Sequence, residues 1–138
     1  METSEDERLD SVASYVSEVR TLLLDKRSPH RYKDYEILAA LNTSLAEARR
    51  IRADLFVYHH HGKIPYFTSV SSGDTIPLEP QFRLALVYGI TGHVLMRDDE
   101  DVQDMRANAF AGMFYDILIG IKPQPLQGGT KGPGNPQA

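Results

Sequence analysis

The 138-residue sequence contains no cysteine, which rules out disulfides, thiolate nucleophiles and zinc–thiolate centres. It has no excess of positive charge. The formal net charge is -4, so the chain as a whole lacks the basic character of a protein that wraps nucleic acid. No run approaches the ~18 consecutive apolar residues of a membrane span. The longest candidate, Phe82 to Met96, is broken by Arg83 and His93 and reads as a buried helix. The opening METSEDERLD is acidic and polar, so no secretory leader is expected. No serine sits in a G-x-S-x-G turn, no glycine-rich segment leads from a strand into a helix, and no pair of carboxylates is singled out by its context. Gly128-Gly129-Thr130-Lys131-Gly132 echoes a phosphate loop in composition alone. The acidic run Asp98 to Asp104 lacks the alternation and central glycine of a calcium loop.

What remains is an ordinary globular composition, 41% apolar and 25% charged, with helical periodicity over most of residues 1–121. One helix is expected from about Ser4 to Asp25, with Leu9, Val12, Ala13, Val16, Val19 and Leu23 on one face and Ser4/Glu7 as a capping box. A second runs from about Lys33 to Ala53 on Ile37, Leu38, Leu41, Leu45 and Ala48. Arg49, Arg50 and Arg52 lie near its C-terminal end, where the helix dipole favours cations; these three are also candidate lumen or inter-subunit charges. A third begins near Glu79-Pro80 and is apolar nearly all round to Met96. Four helices are few to bury one fully, so contact with a second chain is expected there. Asp98-Asp99-Glu100-Asp101 then starts a fourth helix reaching about Ile121. It carries two apolar stripes, Val102-Met105-Ala109-Met113-Ile117 and Phe110-Phe114-Leu118-Ile121. Ala107, Ala109, Ala111 and Gly112 are small enough for close helix approach.

Two segments break the helical pattern. Residues 55–76 are rich in β-branched and aromatic side chains and carry turn signals at His61-Gly62-Lys63 and Ser71-Ser72-Gly73-Asp74, which predicts an inserted β-hairpin or extended loop. Tyr58, His59, His60, His61, Lys63, Tyr66 and Phe67 would be its contact residues. The three histidines invite a metal reading. On a strand, however, alternation puts His59 and His61 on one face and His60 on the other, so a third ligand would have to come from His30, His93 or a distant carboxylate. Residues 122–138 hold four prolines, four glycines and one large aliphatic side chain, Leu126, and cannot build a core. This segment carries +2, from Lys122 and Lys131, against -6 for residues 1–121. The expected fold is therefore mainly α: a four-helix bundle-like body (1–121) with the insertion, followed by an extended C-terminal arm (122–138).

The run Asp34-Tyr35-Glu36-Ile37-Leu38-Ala39-Ala40-Leu41-Asn42, then Ile76-Pro77-Leu78-Glu79-Pro80-Gln81-Phe82-Arg83-Leu84-Ala85-Leu86-Val87-Tyr88-Gly89-Ile90, then the acidic turn and a last helix with Ala107, Ala109, Phe110 and Tyr115, resembles the head-to-tail connector (adaptor, head-completion) proteins of tailed phages. The resemblance covers roughly Lys33 to Ile121 and lies in the order of elements and their composition. It implies a non-enzymatic virion protein, made in the host cytoplasm and placed at the head–tail interface, with no cofactor and no membrane. It also implies a closed ring of about twelve copies beneath the portal protein, extending the DNA channel and receiving the next tail component, a stopper, nozzle or tail-tube protein. Genomic DNA would pass through the lumen without specific recognition. The arm, with Lys122, Pro123, Gln124, Pro125, Leu126, Lys131 and Pro133, would reach the portal or a neighbour, and the hairpin would face neighbours or the tail. Two other readings compete. One is a nucleic-acid-associated packaging or regulatory subunit using the arginines. The other is a small metal-dependent enzyme using His59, His61 and His93.

Overall fold

The computed structural model describes residues 10–56, 64–70, 75–97 and 101–121, and is mainly helical. The helices are α1 (Val12–Leu23), α2 (Asp34–Ile51), α3 (Arg83–Met96) and α4 (Asp101–Gly120). The proposed Ser4/Glu7 capping box lies outside the described residues. Instead Ser11, in extended backbone, caps α1 by accepting the Ser14 N–H at 3.1 Å. Val12, Val16, Val19 and Leu23 are buried as expected from their spacing and are joined by Tyr15, whereas Ala13 is half-buried. The helix ends on Leu24 in the left-handed region, φ 58°, where its N–H reaches Thr21 O and the Asp25 N–H reaches Arg20 O. A glycine is the usual residue at such a stop, because a Cβ costs energy in that conformation.

The α1–α2 connection is organised around one buried ion pair. The Asp25 carboxylate accepts from Arg20 (2.8 Å) and from the backbone N–H groups of Arg31 (2.7 Å) and Tyr32 (3.0 Å). Arg20 also donates to Tyr32 O and to the Asp34 carboxylate at 2.7 Å. Burial pushes the Asp25 carboxyl up, but the Tyr32 and Arg31 N–H groups and the Arg20 charge outweigh it, so its pKa lies below the ordinary carboxylate value. α2 then starts at Lys33, whose N–H is accepted by Glu36 at 2.7 Å, and buries Ile37, Leu38, Leu41, Leu45 and Ala48.

The segment expected to be a β-hairpin or extended loop forms no strand ladder among its described residues. Phe56 is not in a strand: Ala53–Phe56 is a 3-10 turn extending α2, with Phe56 buried. Residues 64–70 form no ladder. The side-chain amide of Asn42 takes the place of a partner strand, accepting the Phe67 N–H and donating to the Phe67 carbonyl, both at 2.9 Å. One side chain thus satisfies both backbone groups of a residue whose ring is buried. Thr75 bridges to Ser11, and the Ile76 N–H reaches Asp10 O at 2.7 Å, so the far end of the segment pairs with the entrance to α1. The two proposed turns, at 61–63 and 71–74, lie outside the described residues.

Pro80–Phe82 makes a 3-10 turn that leads into α3. The expectation that α3 needs cover from another chain is corrected. α1, α2 and α4 all pack on it, and its exposed large apolar residues are Leu84 and Met96, at its two ends. Gly89 and Gly92 make this possible. A Cβ on Gly89 would lie 2.9 Å from the Phe114 ring, and one on Gly92 would lie 3.2 Å from Ala107 O. The residues that let α3 and α4 close are therefore two glycines of α3, Gly89 facing the Phe114 ring and Gly92 facing the backbone of Ala107 and Ala111. Gly112 and Ala109 of α4 are exposed on the other side. The core around α3 includes Phe56, Phe82, Leu86, Ile90, Leu95 and Leu118, each worth about 1.5–3 kcal/mol of burial.

Candidate functional site

Most of the groups able to do chemistry are occupied in holding the helices together. Arg83, in the first turn of α3, donates to Glu18 at 2.7 Å and to Ser14 Oγ at 2.8 Å. It also lies over the Tyr15 ring, 4.6 Å from its centroid. Burial pushes the Tyr15 hydroxyl up to about 12, against the opposing pull of Arg83, so it stays protonated at neutral pH. A recess of about 230 Å³ beside this cluster is lined by Asp10, Tyr15, Leu78, Pro80 and Arg83. His93 shares a 2.8 Å contact with Glu47, and His30 Nδ1 meets Asp25 O at 2.8 Å. The two histidines that a His59/His61 metal site could have recruited are thus held in separate local contacts. Among the described residues no three His, Asp or Glu side chains gather as a metal site. His59, His60 and His61, with Tyr58 and Lys63, lie outside the described residues. No helix among the described residues is long and apolar enough to cross a membrane.

The arginine cluster divides. Arg52 caps the end of α4, donating to Leu118 O at 2.6 Å and Ile121 O at 2.8 Å. It also grips Asp54 through two hydrogen bonds and lies 5.6 Å from the Phe82 ring centroid. The Arg52 hydrogen bond is the main reason that the Asp54 carboxyl sits below its ordinary value. Arg52 is thereby committed to the fold, where it satisfies carbonyls that a helix end otherwise leaves open. Nothing in the triplet RxR signals this, because the partners are 66 and 69 residues away in sequence. Arg49 and Arg50 are exposed and make no hydrogen bond or ion pair among the described residues. With Ala46, Ala53 and Ile64 they line an open recess of about 400 Å³. Of the two hairpin residues that are described, Phe67 is buried and Tyr66 is exposed at 76%.

Among the described residues, α4 also carries an uncovered apolar surface that the sequence did not single out. Of the two α4 stripes, Phe110, Phe114, Leu118 and Ile121 pack inward. Met105, at 75% exposure, Ala109 and Met113 face outward together with Gly112, Tyr115 and Ile119. An amphipathic reading has no means of choosing between two apolar stripes. α3 chooses, because its glycines admit the aromatic one. Arg106 donates to Leu22 O at 2.8 Å, tying the first turns of α4 to the end of α1. Met96, at the end of α3, and Leu24, just past α1, are exposed as well, Leu24 at 85%. Asp116 stands on the outer side of α4 and Asp104 flanks it, both exposed.

The proposed arm residues Lys122, Pro123, Gln124, Pro125, Leu126, Lys131 and Pro133 lie outside the described residues, and the last described residue, Ile121, is the one whose carbonyl Arg52 holds. Compared with known proteins, the chain matches no family model, no curated protein and no solved structure.

Proposed function

We propose that this protein is a non-enzymatic structural subunit, a head-to-tail connector of a tailed phage that assembles as a ring beneath the portal, extends the DNA channel and attaches the next tail component. The observation that carries the reading is the outer face of α4. It leaves Met105, Met113 and Ile119 uncovered along a helix whose other side is fully used. A monomer gains nothing from leaving several large apolar side chains uncovered on one helix, whereas a subunit that spends its working life against neighbours does. The helix order along the chain supports the reading through its likeness to the connector pattern, as does the occupation of the ionisable clusters in packing. In this reading the four helices form a bundle-like body, the 57–76 segment is its insertion, and residues 122–138 are an arm that orders on docking.

The test is to mix the purified chain with portal rings and follow mass by light scattering. Several copies are expected to join each portal. A chain ending at residue 121 should keep its helical circular dichroism and lose most of that binding. A full-length, folded chain that ignores the portal at concentrations well above the micromolar range would end the proposal.

One observation favours a second reading. Arg49 and Arg50 are uncommitted beside an open recess, as a phosphate-contacting pair would be. A nucleic-acid-associated subunit would bind duplex DNA with an affinity that falls steeply with salt.

A further inference from the structure

Two uncovered faces of this chain carry opposite charge. The first is the outer side of α4, where Met105, Ala109, Gly112, Met113 and Ile119 lie along residues 105–119, about 21 Å of helix. Asp116 stands on it, exposed and without a partner among the described residues, and exposed Asp104 flanks it, about 120° round the helix. The second is the recess of about 400 Å³ at the end of α2, with Ala46, Ala53 and Ile64 for apolar lining and Arg49 and Arg50 as its unpaired charges. α3 packs against both α2 and α4.

We infer that the two faces bind each other in successive copies of this chain, the α4 face of one copy seating on the Arg49/Arg50 recess of the next. The occupant is a second copy because the recess carries the positive charge that the acidic apolar face lacks, and the face carries the apolar surface that the recess can cover. Pairing α4 with α4 is disfavoured, because it sets two faces together that each carry Asp116 and no exposed cation among the described residues of α4, and like charges repel. A contact between two different surfaces is heterologous, so it propagates from copy to copy and closes into a ring when the rotation per step allows. The inference deepens the connector reading and rests on it for that closure, while the contact itself can be tested without a portal.

The absence of cysteine makes the test clean. Ala46 and Gly112 are both exposed, and a Cβ on Gly112 meets nothing within 4 Å, so Ala46→Cys and Gly112→Cys leave the fold undisturbed. Under mild oxidation, a mixture of the two single-cysteine chains should give mixed dimers in excess of either homodimer and of a Thr21→Cys control on α1. A chain carrying both cysteines should give a ladder of trimers and higher species. Asp116→Arg in that chain should abolish the ladder, and adding Arg49→Asp with Arg50→Asp should restore it. Predominant Gly112→Cys homodimers would mean self-pairing of α4 and overturn the inference. So would linkage no greater than the control, or a ladder indifferent to Asp116→Arg. Absent linkage combined with loss of duplex DNA binding in the Arg49→Asp/Arg50→Asp chain would assign the recess to nucleic acid. A ladder in a chain that does not bind the portal would leave this contact standing and remove the connector reading alone.

Discussion

Replacing Gly92 or Gly112 by alanine makes the same chemical change in two neighbouring helices, and the structure requires opposite outcomes. Each substitution removes a helix-interior glycine, which by itself stabilises by about 1 kcal/mol. At Gly112 nothing opposes this gain, since the new methyl group has no neighbour within 4 Å. At Gly92 the methyl would lie 3.2 Å from Ala107 O and 3.3 Å from Ala111 N. Both are backbone atoms of α4, so the whole helix must move outward to relieve the contact. Overpacking of this kind costs about 1–3 kcal/mol, leaving Gly92→Ala neutral to destabilised by about 2 kcal/mol. The gap between the two variants is then about 1–3 kcal/mol, or roughly 3–12 °C in midpoint for a chain of this size. Gly89→Ala should behave like Gly92→Ala, because its Cβ would meet the buried Phe114 ring at 2.9 Å. Thermal and urea unfolding followed by circular dichroism measure the gap directly. If Gly92→Ala and Gly112→Ala stabilise equally, α4 does not pack on α3 through the glycine face, and the outward face of α4 is misassigned with it.

Two further outcomes test the polar framework. Arg52→Ala removes the charge-assisted caps on Leu118 O and Ile121 O and should destabilise by about 2–3 kcal/mol, with faster amide exchange in the last turn of α4. Removing its exposed partner through Asp54→Ala should cost less than about 1 kcal/mol, and equal effects would contradict the capping role. Asp25 is held below the ordinary carboxylate value in the folded chain. Its contribution is therefore present above the unfolded-chain value of about 3.9 and lost as pH falls through the lower folded value. Unfolding free energy of the native chain should drop more steeply below about pH 4 than that of Asp25→Asn, and parallel curves would refute the ion-pair account.

Local patterns in the sequence carried the helices but not their neighbours. The apolar spacing of Ile37, Leu38, Leu41 and Leu45 places α2 within two residues of its observed ends, and Pro80 marks the approach to α3, because periodicity and end signals are properties of contiguous residues. Phe56 shows where this fails. Its β-favouring neighbours suggested a strand, yet it continues from α2 as a 3-10 turn and is buried in the core. Phe67 likewise finds its hydrogen-bond partner in the Asn42 side chain, 25 residues away.

The candidate surface divides in the same manner. From the sequence alone follow the missing thiol chemistry, the helical class, the two apolar stripes of α4 and the positive charges at the end of α2. Which stripe is buried follows only from the tertiary structure, through two glycines on a different helix that admit Phe114 and turn Met105 and Met113 outward. Which arginines remain available is settled there as well, since Arg52 is drawn onto carbonyls of α4 while Arg49 and Arg50 are left exposed. The physical reason is common to both. A helix face or a guanidinium takes its role from what packs against it, and that neighbour is distant in sequence.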